Sequence, residues 1–291
     1  MLTRLRLSTF LVAVAFGSWS LAQDGPPFKY TVDQQLVIAS FQLNVDRVKA
    51  LLANGADPNA RIGKHERSLF TDKWTLGTPW ASSRWTPLLA VAESHRAPQP
   101  EKLTENTVEA REAALERLKA VDPKLIANRD RRRVAIAKLL IAAKANLDHD
   151  DGYGDTALSA SVYNGFDDLS LLLISSNAEL DTKTIYFDGE GDITPMHRAT
   201  DTPKVLEAMI KRGANVNVAD TSGDTPLHWA VRAPNVASVK LLIAGGAKID
   251  AKDNEGRLPS YWCKTFGIFE LPGDAEEKKE IAKLLRAASR K

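Results

Sequence analysis

Residues 209–228 read MIKRGANVNVADTSGDTPLH, and two phrases in this stretch recur along the chain. One phrase is an apolar pair that leads to Gly-Ala-Asx, here Gly213-Ala214-Asn215. The other is Thr-Pro-Leu-His, here Thr225 to His228. Relatives of the first phrase have their alanine at Ala56, Ala145, Ala178 and Ala247, and relatives of the second begin at Thr86, Thr156, Thr194 and Leu258. Two phrases that recur in a fixed order indicate an internal repeat.

The spacing of these phrases is nearly constant. Steps of 33, 36 and 33 residues separate the alanines Ala145, Ala178, Ala214 and Ala247. In three repeats, 11 residues lead from this alanine to the next Thr position. In these phrases and this period the chain resembles the ankyrin-repeat family, from about Thr31 to Lys291. The resemblance implies an all-α solenoid of helix-turn-helix units joined by β-hairpin-like fingers, with about six repeats and several insertions.

The repeated residues suit the ends of helices. A Thr hydroxyl can cap the first helix of a repeat by accepting from free backbone amides. The Pro after it is tolerated because the backbone N–H that proline lacks would have no partner at this position. We expect His197 and His228 to hydrogen-bond the neighbouring loop and so join one repeat to the next. Gly55, Gly213 and Gly246 follow second helices, where a left-handed residue is needed.

The first 22 residues have the pattern of a secretory signal. A basic start precedes an apolar stretch from Leu7 to about Gly17, and Ser20-Leu21-Ala22 offers the small residues that a signal peptidase reads. We expect cleavage after Ala22, a mature tail at 23–30 and a repeat domain at 31–291. An uncleaved membrane anchor is the alternative, although the apolar run is shorter than the roughly 20 residues that a bilayer requires.

Charge and cysteine content restrict the partner classes. The chain has 39 Lys and Arg against 37 Asp and Glu, and residues 1–22 hold two Arg and no acid, so the mature chain has 39 − 2 = 37 of each sign. A neutral domain gives no electrostatic reason to expect nucleic acid or an anionic membrane as partner. The single Cys263 leaves the fold to rest on its apolar core; this thiol is either a buried structural residue or a reactive one.

Insertions interrupt the period at about residues 61–85, 93–131 and 183–192. The first lengthens a finger by about 19 residues and carries Trp74 and Trp80. Aromatic residues mixed with basic ones are typical of binding hot spots, so this finger either binds a partner or folds back onto the second repeat.

The second insertion separates the paired helices of the second repeat. Asn106 with Glu109 predicts a capped helix, and Asp122-Pro123 predicts the start of a second short helix. The cluster of arginines that follows could bind an acidic partner or form a solvated helix start; it comprises Arg129, Arg131, Arg132 and Arg133.

The third insertion lengthens a later finger and places Tyr186 and Phe187 beside alternating acids. These acids lack the ligand order and the distal Glu of a calcium loop, which favours a plain hairpin tip.

Catalytic motifs are missing from the sequence. The five histidines show no zinc-ligand spacing, and there is no glycine-rich phosphate loop or serine elbow. We therefore expect no enzymatic activity, no cofactor and no metal. The rival interpretation is a metal or small-ligand site around His149-Asp150-Asp151.

The resemblance implies that the finger tips and inner helices form a concave face that binds another protein. Trp229 and Trp262 hold the same repeat position and either pack between helices or form an aromatic ladder for a ligand. The residues expected to contact the partner are Trp74, Trp80, Tyr153, Asp155, Tyr163, Asn164, Tyr186, Phe187, Ser222, Asp224, Arg232, Asn254, Glu255 and Arg257.

The predicted export signal further restricts the classes of protein that could be the partner. We expect a periplasmic or secreted chain, monomeric by itself and without membrane insertion after cleavage. The leading hypothesis is an immunity-type inhibitor that occludes a toxin or cell-wall hydrolase. The alternatives are an envelope scaffold that supports a stress-defence enzyme, such as a periplasmic catalase, and a secreted host-directed effector.

Overall fold

The structure is a computed structural model that describes residues 30–61, 85–94, 123–185, 191–263 and 274–290. The contacts within the chain separate it into two compact units, residues 1–31 and residues 32–291. The fold described below is that of the second unit. Its described helices follow one another in pairs. The pairs are α1 (Val32–Phe41) with α2 (Val45–Ala53), α3 (Pro87–Ala92) with α4 (Pro123–Ala142), α5 (Ala157–Tyr163) with α6 (Asp167–Ser175), α7 (Pro195–Arg198) with α8 (Pro203–Lys211), α9 (Pro226–Arg232) with α10 (Val236–Ala244), and a 3₁₀ helix (Pro259–Cys263) with α11 (Asp274–Ala288). A further 3₁₀ turn, Ala199–Asp201, extends α7.

The paired helices stack in two layers. In the inner layer, α1, α3, α5, α7, α9 and the last 3₁₀ helix each contact the next, and in the outer layer α2, α4, α6, α8, α10 and α11 do the same. Within the described ranges, β-structure is limited to one antiparallel bridge between Thr184 and Ile193. The predicted all-α stack of helix pairs is therefore confirmed.

The core repeats with the same period as the sequence. The third residue of each Thr-Pro-Leu-His phrase is at most 1% exposed: Leu88, Leu158, Met196 and Leu227. In the outer layer, the residue five places before each phrase alanine is buried: Leu51 is 4% exposed, and Leu140, Leu173, Met209 and Leu242 are fully buried. Each repeat thus contributes one anchor per layer, and neighbouring repeats bury it.

The outer helices end on left-handed residues, as the sequence predicts. Gly55, Gly213 and Gly246 have φ of +82°, +86° and +90°. In two other repeats the same place is taken by Lys144 at +68° and Asn177 at +70°. A left-handed residue at this place is therefore required by the repeat even where glycine is missing.

The second repeat differs from prediction. The short helix expected at Asp122-Pro123 is the first part of α4, a 20-residue helix that runs on as the outer helix of the repeat. No glycine or internal proline breaks it.

Arg133 fits neither interpretation of the arginine cluster, a site for an acidic partner or a solvated helix start, because it is only 1% exposed. Its Nε and Nη2 donate to the hydroxyl and carbonyl oxygens of Ser94 at 3.0 and 2.6 Å. Its Nη1 contacts Asp130 at 2.6 Å, and the guanidinium lies 3.7 Å from the Phe166 ring centre. The side chain therefore links α4 to the end of α3 and to the next repeat.

None of the described helices is both long enough and apolar enough to cross a membrane.

Candidate functional site

The ends of the inner helices and the fingers beside them form one surface, here called the inner face. The residue seven positions after each Thr slot ends its inner helix on this face. Because neighbouring inner helices pack side by side, these ends form a row whose chemistry changes along the stack. The row consists of Glu93, Tyr163, Asp201 and Arg232.

In three of the fingers within the described ranges, one aspartate shapes the turn. Oδ1 of Asp151 accepts from the amides of Tyr153 at 2.8 Å and Asp155 at 3.2 Å. Asp220 and Asp253 accept from the amides two and four residues later, at 2.8–2.9 Å. The carboxylate takes the place of a backbone acceptor and fixes the turn.

Neighbouring fingers are bonded to each other. The amide of Ile185 donates to the carbonyl of Tyr153 at 2.9 Å. Gly154 has φ of +88°, and a Cβ there would lie 2.0 Å from the carbonyl oxygen of Lys183. Both the backbone angle and this close approach therefore require glycine.

The predicted histidine contacts between repeats are confirmed. The Thr194 amide donates to Nδ1 of His197 at 3.2 Å, and Nε2 of His197 lies 3.0 Å from the carbonyl of Asp224 in the next repeat. His228 lies in the same way 3.2 Å from the carbonyl of Arg257. Only a neutral ring with its proton on Nε2 satisfies both bonds of His197.

A second set of contacts between repeats was missed by sequence reasoning. Asn59 accepts from the Asn146 amide at 2.6 Å and donates to the carbonyl of Lys144 at 3.3 Å. Asn217 accepts from the Lys248 amide at 2.7 Å and donates to the Gly246 carbonyl at 3.1 Å. Asp33, Asp148 and Asp181 likewise accept from the amides of Asp57, Glu179 and Asn215. The Asx residue three places after the phrase alanine was the available signal in the sequence.

Arginine and aromatic side chains meet at the C-terminal end of the inner face. The guanidinium of Arg232 lies 4.3 Å from the Trp262 ring centre, and that of Arg257 lies 5.0 Å from it. Arg232 also pairs with Asp224, and Arg257 pairs with Asp253 at 2.6 Å. Trp262 packs partly buried against the core, which favours the packing interpretation of this tryptophan.

Trp229, one repeat earlier, is half-buried, and its Nε1 donates to Asp220 at 2.9 Å. Cys263 is half-buried rather than buried, and burial raises the pKa of its thiol.

Carboxylates gather in the middle of the inner face. Burial raises the pKa of Glu93 to about 7, helped by the nearby charges of Asp155 and Asp151 and opposed by Arg198. Two hydroxyl groups donate to Oδ1 of Asp155, at 2.9 and 3.0 Å. The carboxylate of Glu93 has no hydrogen bond or ion pair with any described residue. In the sequence, Glu93 falls at the start of the second insertion, although it holds the same repeat position as Tyr163.

The residues predicted to contact a partner fall into several groups. Tyr163, Ser222, Arg232, Asn254 and Glu255 are exposed, whereas Tyr153, Asp155, Asn164 and Arg257 are half-buried and Asp224 is buried. The side chains of Asn164 and Asn254 also donate to backbone carbonyls of the preceding repeat, at 3.0 and 2.9 Å. Trp74, Trp80, Tyr186 and Phe187 lie outside the described residues.

The described ranges hold no group of three His, Cys, Asp or Glu side chains placed to hold a metal ion. Nδ1 of His149 lies 3.3 Å from the Arg61 guanidinium. Asp150 and Asp151 accept backbone amides of their own turn. These acids serve the shape of the finger.

Comparison with known proteins gives the same repeat. A family model described as ankyrin repeats, in three copies, matches residues 185–253. The chain contains ankyrin repeats. Inversin from Canis lupus familiaris is 31% identical over 135 residues, which are 45% of this chain and 12% of inversin. Neurogenic locus notch homolog protein 1 from Homo sapiens is 31% identical over 126 residues, 43% of this chain and 5% of that protein. The chain thus spans only a small part of these relatives.

Two solved structures share their fold with most of this chain. A chain in the complex of a predatory endopeptidase from Bdellovibrio bacteriovorus with an immunity protein has a TM-score of 0.53 and 22% identity, and the match covers 87% of this chain and 97% of that one. A crystal structure of an ankyrin-repeat protein has a TM-score of 0.54 and 16% identity, covering 88% and 98%. At such identities the likeness concerns the fold, and the predicted ankyrin solenoid is confirmed.

Proposed function

We propose that this ankyrin chain binds another protein through its inner face and acts as an immunity-type inhibitor of a toxin or cell-wall hydrolase. The observation that carries the binding function is the exposure of large apolar side chains on the inner face. Tyr163 is 65% exposed, Ile185 61% and Tyr261 45%. Exposed aromatic residues on a rigid scaffold are the usual anchors of protein interfaces.

The inhibitory form of the proposal is supported by the fold shared with a chain of the endopeptidase–immunity protein complex. A stack of this kind presents a broad surface that can cover a neighbouring protein. Catalysis has no part in the proposal, because the described histidines are engaged in the fold: His197 and His228 bond backbone carbonyls, and His149 lies beside Arg61.

The proposal also includes the compartment in which this protein acts. The signal pattern of residues 1–22 supports export to the periplasm or beyond, with cleavage after Ala22. A cell-wall hydrolase would be met in that compartment, which is why we favour it as the target.

The test is affinity capture with residues 23–291 as bait, in extracts of the compartment to which the chain is exported. We expect one envelope hydrolase or toxin to co-purify and its activity to fall when the purified chain is added. Tyr163→Ala should weaken the complex about tenfold, since truncating an interface anchor commonly costs 1–2 kcal/mol.

Lys204→Ala is the matched control, because the Lys204 side chain is 67% exposed on the outer layer. Trp74→Ala with Trp80→Ala should also weaken capture, with the free energy of unfolding changed by less than about 1 kcal/mol. Equal binding by the Tyr163 and Lys204 variants would refute the role of the inner face. Failure to capture any protein would refute the proposed function.

A further inference from the structure

Helix α4 is a strongly basic element of the outer layer. Between Pro123 and Ala142 the sequence has six basic residues and one acidic residue, so the helix has a net charge of 6 − 1 = +5. Residues 23–291 together are neutral, so the remainder of them carries the opposite charge. Positive charge is therefore concentrated on this helix.

One face of α4 points away from the stack. The buried residues of the helix lie on the opposite face, and they are Arg133, Ile136, Ala137 and Leu140. With about 3.6 residues per turn, the line farthest from them, here called the α4 crest, runs through Arg131, Ala135, Lys138 and Ala142. All but the half-buried Ala135 are exposed, as is Arg132 beside the crest. The crest thus presents two cations that are seven residues, or about 10.5 Å, apart along the helix.

These cations have no counter-ion within the described parts of the chain. None of the ion pairs or side-chain hydrogen bonds among the described residues involves Arg131, Arg132 or Lys138. Asp130, which is the single acid in the sequence of α4, contacts the buried Arg133 at 2.6 Å. The acid of the helix therefore serves the interior, and the charge of the crest faces solvent.

Three lysines on later outer helices differ from the crest in having counter-ions. Lys204 lies 3.9 Å from Asp168, and Lys211 lies 2.7 Å from Glu207. On the last two outer helices, Lys240 lies 2.7 Å from Glu280. An acid beside a cation cancels part of its field, whereas the field of the crest extends into solvent and attracts anions from outside.

We infer that the α4 crest binds an acidic helix of another protein, one whose carboxylates recur every seven residues. A helix that packs along α4 has the same rise of about 1.5 Å per residue, so two such carboxylates come opposite Arg131 and Lys138 together. Ala135 and Ala142 have short side chains, which lets the two helices approach closely. The crest belongs to the outer layer, so this inference goes beyond the function proposed for the inner face.

Two other kinds of polyanion fit the crest less well. Nucleic acid is bound through many phosphate contacts, and the crest offers two cations with Arg132 beside them. A helix that lies on a membrane buries large apolar residues such as Trp, Phe or Leu, whereas the crest has alanine next to its cations. A short row of cations with small residues between them favours a protein helix.

The experiment titrates residues 23–291 with a synthetic alanine- and glutamine-based helical peptide whose glutamates lie seven residues apart, at about 50 mM salt. A second peptide has the same composition with its glutamates adjacent. We expect the spaced peptide to bind about threefold more tightly than the second one. Arg131→Gln with Lys138→Gln should weaken binding of the spaced peptide about fivefold, because two exposed ion pairs are lost.

Lys204→Gln with Lys211→Gln is the matched control. It also removes two positive charges seven residues apart on an outer helix, from side chains that are 67% and 71% exposed. We expect it to change the affinity for the spaced peptide by less than about twofold, because both lysines already have counter-ions.

The inference would be overturned by absent binding, by equal binding of the two peptides, or by an equal loss in the two double variants. Tighter binding of a DNA duplex or of phosphatidylglycerol vesicles would also overturn it, as would self-association of the chain that the α4 double variant abolishes. Tyr163→Ala, which tests the inner face, should leave the affinity for the spaced peptide unchanged. The two proposals can therefore fail separately.

Discussion

Two enclosed residues of the inner layer respond to pH in opposite directions. Burial raises the pKa of Glu93 to about 7 and lowers the pKa of His197 below its ordinary 6.5. In both cases enclosure favours the neutral form of the side chain. The consequence for stability differs in sign, because the neutral form of glutamate carries the proton and that of histidine does not.

Glu93→Gln should stabilise the protein at pH 8. The pKa of Glu93 rises from 4.5 in the unfolded chain to about 7 in the fold, so the folded chain binds the extra proton between these values. The cost of the charged form is therefore complete above pH 7 and disappears as pH falls towards 4.5. We expect a gain on the order of 1–2 kcal/mol at pH 8, discounted for partial exposure, that fades by about pH 5. Denaturant unfolding across this range measures it, and a gain independent of pH would contradict the explanation.

His197→Gln should cost most at high pH. Since the pKa of His197 is lowered in the fold, the unfolded chain takes up its proton first as pH falls below 6.5, and wild type then loses stability. We expect the variant to be about 1–3 kcal/mol less stable at pH 8, from the lost bonds to Thr194 and Asp224, and this deficit to narrow at pH 5. A deficit that stays constant from pH 8 to pH 5 would show that the ring does not resist protonation.

At the scale of elements, the end of each outer helix is the point where sequence and conformation agree least. Lys144 follows the last residue of α4 by two positions and has φ of +68°, whereas Gly213 follows the last residue of α8 by two positions and has φ of +86°. Left-handed backbone costs a residue with a Cβ about 1 kcal/mol or more, and glycine avoids this cost. The same structural place is therefore relaxed in one repeat and strained in another.

Exchanging the two residue types tests this strain. Lys144→Gly should raise the free energy of unfolding by about 0.5–1 kcal/mol, and Gly213→Ala should lower it by about 1 kcal/mol. A Cβ on Gly213 would meet nothing within 4 Å, so its cost would be conformational only. Thermal unfolding of both variants measures the effects. Changes of the same sign would show that the left-handed angle is not the cause.

The elements also show which parts of the fold the sequence can predict. Helix pairs, glycine ends and histidine contacts all follow from residues that recur at a fixed spacing. The burial of Arg133 does not, because its partner Ser94 lies 39 residues away across an insertion. Glu93 escaped prediction for the same reason, since the period stops at its position. Repetition predicts what is shared between repeats, and contacts made once need the structure.

At the scale of the whole stack, side-chain bridges decide how strongly repeats are coupled. Asn217 makes two hydrogen bonds to the turn that follows α10. Asn215 accepts one bond from the amide of Asn217 within its own turn. Because repeats contact only their neighbours, loss of a bridge should loosen the stack at one junction.

Asn217→Ala should cost about 1–2 kcal/mol and speed hydrogen exchange in residues 246–263, with exchange in α5 and α6 unchanged. Asn215→Ala is the matched control, because it removes a bond inside one turn and leaves the bridge in place. Faster exchange throughout the stack in the Asn217 variant would indicate that the repeats unfold together.

Arg133 has a consequence for how this protein can change in evolution. Its bonds hold Ser94, which lies two residues after the end of α3. The described chain resumes at Pro123, where α4 begins. These bonds join the two described ends of the insertion through side chains of the repeats themselves. Since closing a longer loop costs only about 0.6 kcal/mol for each doubling of its length, we expect segments of other sizes to be tolerated there. Positions 95–122 are accordingly a natural graft site, where a lineage or a protein engineer can add a new module without redesigning the repeats.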